Sequence, residues 1–158
     1  MLLLIQIVPR AADQRGVITK DPDLVTPLLP ALLQYQLSLS APRPLAGTFD
    51  AVAAGRGRSL FDGAARCSTC HVGTLFTDVN KGVLHTPAEV GQDSAYAARS
   101  VTGKYRTTPL RGLAQHSPYF HDGSAATLLD VVNHYNSLFS LNLSAAQKAD
   151  LVAYLNTL

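Results

Sequence analysis

The chain has 158 residues, 47% of them hydrophobic and 15% charged, with a formal net charge of +2. That is enough apolar material for one compact domain with some extension. The small positive balance is scattered and argues against a nucleic-acid partner: Arg56, Arg58 and Arg66 lie near the middle, and Arg99, Lys104, Arg106 and Arg111 follow singly.

The N-terminal "MLLLIQIVP" is apolar for about eight residues and is interrupted by Gln6, where a membrane span needs roughly twenty. It has neither a basic start nor a small-residue cleavage site, so it is a poor signal peptide. A mature form, or a piece of something longer, is the expectation. Residues 21–39 read as a helix whose start is marked by Thr26 and Pro27, with Pro30 still in the first turn, where few backbone donors have helical partners. "SAPRPLAG" at 40–47 then breaks the pattern. Residues 41–158 are therefore expected to form the domain, with 1–40 as an N-terminal helical arm.

Thr48 is expected to cap a helix running to about Asp62, with Phe49, Val52, Ala53, Leu60 and Phe61 as its apolar positions. Gly57 and Phe61 share a face one turn apart. A mid-helix glycine costs about 1 kcal/mol against alanine, and close approach by another helix would account for it. Residues 72–126 are rich in Gly, Thr, Pro and Asp and lack periodicity, so they read mostly as loop, with a turn of helix at Asp93–Arg99. Thr127 opens a helix to about residue 136, with Asp130 three residues on as a capping acid. Ser144 caps the last helix, whose face carries Leu151, Tyr154, Leu155 and Leu158. No stretch alternates with period two, so the chain reads as all helix and loop.

Between the second helix and the loops lies "RCSTCH", residues 66–71, which holds the only two cysteines. A disulfide, a zinc knuckle, a dithiol redox site and a covalent haem could each use such a pair. Structural zinc wants four ligands, and no second cysteine pair exists; among the histidines only His116 and His121 are suitably spaced. A thioredoxin-like dithiol wants an α/β context, which is missing. Neither explains His71. In C-x-x-C-H both sulfurs can form thioethers to haem vinyl groups, and the next residue places imidazole beneath the iron. The expectation is one covalent haem c on Cys67 and Cys70 with His71 as proximal ligand, in a class I cytochrome c-like domain whose long loops wrap the haem. Gly57 and Phe61 would then cross Tyr154 and Leu155. Arg111 suits a haem propionate, since guanidinium pairs well with carboxylate.

The other axial position is less determined. Met1, the only methionine, is at the wrong end of the chain. The site is either open or filled by His85, His116, Tyr119, His121, His134 or Tyr135. On the helix from 128, Leu128, Val131, Val132 and Tyr135 share the apolar face, while His134 pairs with Asp130 four residues earlier on the solvated side. That geometry favours Tyr135 over His134 and leaves the open position and the other candidates standing.

Residues 107–136, "TTPLRGLAQHSPYFHDGSAATLLDVVNHYN", resemble the C-terminal haem domain of the bacterial dihaem cytochrome c peroxidases, and in particular their MauG-like branch. "LLPALLQYQLSLSAPRP" and "AGRGRSLFDGAARCSTCHVGTLFTD" fit the same family, so the resemblance covers roughly residues 28–158. It implies a tyrosine ligand at Tyr135, where the peroxidases have methionine, and it puts His121 near the haem rather than on the iron. It also implies calcium between two haem domains, on main-chain oxygens matching His116 and Pro118. The departure is large: the family has two haem motifs, and this chain has one. The chain also has no tryptophan, so it cannot supply an aromatic bridge of that type.

The leading expectation is an electron-transfer haem domain, the C-terminal half of a dihaem peroxidase or MauG-like oxidase, relaying oxidising equivalents with a haem-bearing N-terminal domain or a redox partner protein. The rivals are a stand-alone peroxidase with an open distal site and His121 or His134 as acid–base group, and a one-haem electron carrier. Because thioether attachment belongs to an exported compartment, a periplasmic location follows.

Overall fold

The computed structural model describes residues 25–40, 44 and 47–158. The chain divides between Ala41 and Pro42, and each part is described by itself. In the first, a 3-10 turn at Thr26–Leu28 leads into α1, Leu29–Ser38, with a proline in the first turn of each. The part of the expected helix before Val25 lies outside the described residues. Leu28, Leu32 and Tyr35 are exposed.

The second part is helix and irregular backbone: α2 (Ala51–Asp62), α3 (Pro87–Val90), α4 (Ser94–Ala97), α5 (Leu128–Leu138) and α6 (Ala145–Leu155). Among the described residues no strand forms, and only two isolated antiparallel bridges occur, His85 with Tyr105 and Tyr119 with Ala125. No described helix is long and apolar enough to cross a membrane.

The cap of α2 differs from expectation. Asp50, not Thr48, accepts from the Val52 and Ala53 amides at 2.7 and 3.0 Å. A carboxylate two residues nearer the helix outcompetes the hydroxyl, because its charge also suits the N-terminal dipole. Val52, expected in the core, is 71% exposed, and Ala54, Gly57 and Phe61 form the buried face.

At Gly57 the two long helices touch backbone to backbone. A Cβ placed there would collide with the Asp150 carbonyl and lie 2.8 Å from Tyr154 Cβ. Beside this crossing Arg56 donates to both Asp150 oxygens, at 2.6 and 2.8 Å. One turn on, Phe61 is 1% exposed and meets Tyr154 edge to face, with ring centroids 5.3 Å apart. Leu128 and Val132 of α5 join Phe61, Leu151 and Leu155 in one core. Capping boxes start α5 (Thr127 with Asp130) and α6 (Ser144 with Gln147), so these helices begin where the sequence places them.

Candidate functional site

After α2 the chain reverses sharply. The Ala65 amide reaches back to Leu60 and the Arg66 amide to Gly63, and Arg66 takes a left-handed φ of 56°. A single 3-10 turn, Cys67–Thr69, follows, and the Cys70 and His71 amides both donate to the Cys67 carbonyl, at 3.3 and 3.0 Å. One turn of backbone thus carries both sulfurs and the imidazole. Both cysteines are free and half-buried.

Burial pushes the Cys67 thiol up to about 11. It also raises Cys70, with a further push from the Asp78 carboxylate. These are protonated thiols at neutral pH, unlike the activated thiolate of a dithiol redox site.

His71 is oriented through one nitrogen. Its Nδ1 lies 2.9 Å from the Phe76 carbonyl oxygen, an acceptor, so Nδ1 carries the hydrogen and donates. That fixes the tautomer and leaves the Nε2 lone pair for a metal. Burial lowers the pKa of the ring, keeping it in the neutral form that a metal needs. Phe61 packs against both His71 and Phe76, at 6.4 and 6.0 Å between centroids, so the α2–α6 crossing supports the imidazole from below.

Tyr135, on α5, belongs to the same space. Burial pushes its phenol up to about 12, and the Cys70 and Cys67 thiols act in the same direction. Without a cation the hydroxyl stays neutral. Sulfurs held in thioethers no longer ionise, and a ferric iron would bring positive charge, so both changes favour phenolate. Two sulfurs, an Nε2 lone pair and a phenol oxygen are the donor set that a covalent haem with a nitrogen and an oxygen ligand requires. They fit that group.

His134 departs from expectation. It makes no pair with Asp130, which is bound to Thr127 in the capping box. Instead its Nε2 donates to the Val90 carbonyl at 2.9 Å, and its ring fills the space left by Gly91. The short helix α3, absent from the sequence reading, supplies this partner. The threonine–glutamate capping box at Thr86 and Glu89 was the available signal.

His121 sits in "YFHDG", a tight turn with Phe120 and Gly123 at positive φ, closed by the Tyr119–Ala125 bridge. Its ring lies between Tyr96 and Tyr105, with centroids 4.6 and 4.9 Å away. Arg111 donates Nε and Nη2 to the Thr74 carbonyl, at 3.1 and 2.8 Å, over the Phe76 face. Two donors of its guanidinium are spent on this loop, which fixes the other side of the His71 turn. His116 is exposed, and Pro118 follows a cis peptide bond.

One cluster was not foreseen. The sulfur of Cys70, a carboxylate oxygen of Asp78 and a ring nitrogen of His85 lie within 4.8 Å of one another. The thirty-five residues between Cys70 and Arg106 carry no sustained apolar period, so nothing in the pattern places Asp78 or His85 beside Cys70.

No family model matches the chain. It is 33% identical over 119 residues to the methylamine utilization protein MauG of Methylorubrum extorquens, an alignment covering 65% of this chain and 33% of that protein. A cytochrome-c peroxidase of Pseudomonas sp. (strain SCT) is 32% identical over 140 residues, with 65% and 38% covered. MauG of Methylophilus methylotrophus is 29% identical over 154 residues, with 85% and 46% covered. The chain therefore spans less than half the length of these relatives. Among solved structures, a MauG-like protein associated with microbial copper homeostasis matches with a TM-score of 0.51 and 29% identity, over 66% of this chain and 46% of that one. A hydrazine synthase chain of Kuenenia stuttgartiensis shares the fold with a TM-score of 0.59 at 24% identity, over 82% and 55%.

Proposed function

We propose, from the chain's homology to MauG and the cytochrome-c peroxidases, that residues 41–158 are a class I cytochrome c-like domain that carries one covalent haem c and relays oxidising equivalents. The observation that carries this reading is His71 held by Nδ1 on the Phe76 carbonyl, on the same turn as two free thiols. Cys67 and Cys70 would hold the haem as thioethers, His71 Nε2 and the Tyr135 oxygen would hold its iron, and Phe61 and Phe76 would exclude water from the His71 side. Haem c supplies a one-electron couple at its iron.

Tyr135 decides the kind of chemistry. Phenolate is a hard anionic donor, so it stabilises the higher charge on iron and lowers the potential. With His71 and Tyr135 both held to the iron, no position would be left for peroxide, and the domain would relay electrons instead. A haem-bearing domain or redox protein is the proposed partner, in an exported compartment. Arg111 keeps guanidinium donors for a propionate beyond those given to Thr74. Calcium at the His116 and Pro118 carbonyls would need ligands from outside this chain. His121, stacked between two tyrosines, and His134, bound to Val90, have their rings engaged, which favours the relay over a peroxidase using either as acid–base group.

Mixing the ferric protein with cyanide tests the relay. Uptake should be slow or absent in the wild type. Rapid uptake would mean an open position and would support a peroxidase.

A further inference from the structure

Asp78 is a buried carboxyl group for which the donor set above has no use. It is 5% exposed, its Oδ2 lies 3.0 Å from His85 Nε2, and its Oδ1 is buried with no hydrogen-bond partner. A carboxylate buried with one oxygen unpaired is costly, and such groups are rare unless a neighbour draws on their charge.

The backbone holds it in place nonetheless. Thr77, also buried, donates its hydroxyl to the Thr107 carbonyl at 2.6 Å and accepts from the Val79 amide at 3.2 Å. His85 is fixed by paired backbone bonds with Tyr105, at 2.7 and 2.8 Å. These two anchors turn residues 77–107 into a strap that brings the Asp78–His85 pair against Cys70. Three donors within 4.8 Å could also suggest an ion site. With the Cys70 sulfur in a thioether, only two strong ligands remain, short of what a structural cation site uses. What is left is a charge.

We propose that the Asp78 carboxylate, oriented by His85, is a fixed negative charge at the Cys70 edge of the haem site that holds the iron's reduction potential down. The inference rests on the haem reading above. Charge in a low-dielectric interior acts over several ångströms with little screening, and a negative charge there stabilises the oxidised, more positive iron. The same field reaches His71 and Cys70, both of which feel Asp78. Tyr135 and Asp78 would then act together, one through a bond and one through space.

Redox titration of the haem-loaded full chain tests this. Asp78→Asn should shift the reduction equilibrium at least tenfold toward the ferrous form, a rise of about 59 mV for a one-electron couple. His85→Gln keeps a donor for Oδ2 and the carboxylate charge, so it should produce no rise. An unchanged potential in Asp78→Asn overturns the proposal. So does an equal rise in His85→Gln, because loosened packing would then explain both. If Asp78→Asn fails to load haem, Asp78→Ser carries the test: it removes the same charge with a smaller polar side chain, so the potential should again rise, and no rise overturns the idea. A wild-type chain without covalent haem would instead remove the premise, and would be seen before any variant is made.

Discussion

Tyr135 and its neighbour His134 show how one helical step separates two fates. The apolar spacing of Leu128, Val131 and Val132 already put Tyr135 toward the core, since adjacent helical residues point about 100° apart. The partner of His134 was not legible, because Val90 lies 44 residues away in sequence. A phenol pushed up to about 12 by burial stays protonated unless a cation claims its oxygen. Tyr135→Phe keeps the ring against Phe120 and Phe139, with which it now packs at 6.0 and 5.8 Å, and removes only that oxygen. The fold should therefore survive, the ferric spectrum should move toward high spin and the potential should rise. His134→Ala should leave the spectrum in place. If the two outcomes were exchanged, the ligand would be His134.

At the scale of elements, the helices were legible where end signals and periodicity agreed, as in the boxes of α5 and α6. Gly57 was legible for the opposite reason: a residue so poor in a helix needs a cause, and the Asp150 carbonyl is that cause. Gly57→Ala tests the crossing with a single methyl group. The added Cβ meets backbone and not a flexible side-chain end, so α2 and α6 must separate, at a cost of about 1–3 kcal/mol. Denaturant unfolding should show the loss, and an unchanged midpoint would mean that the helices do not cross here. The stretch after His71 was illegible as structure because its order comes from hydrogen bonds far apart in sequence: Thr77 to Thr107, His85 to Tyr105 and Arg111 to Thr74. Periodicity carries no trace of such bonds.

For the whole molecule, the sequence motif and the fold both fit a covalent haem, from different directions. C-x-x-C-H named the chemistry, while the structure adds the orientation of His71 and the burial of Tyr135. Neither was contained in the spacing of the cysteines. The chain spans 33–46% of the three relatives compared with it, so the proposed relay would work with a redox centre outside these residues. The claim beneath every other is covalent attachment, and the mass of the intact protein, produced with a cytochrome c maturation system, tests it most directly. One haem added to the polypeptide mass, resistant to acid–acetone extraction and with neither cysteine open to alkylation, is the predicted result. The bare polypeptide mass with two alkylatable thiols would contradict the account.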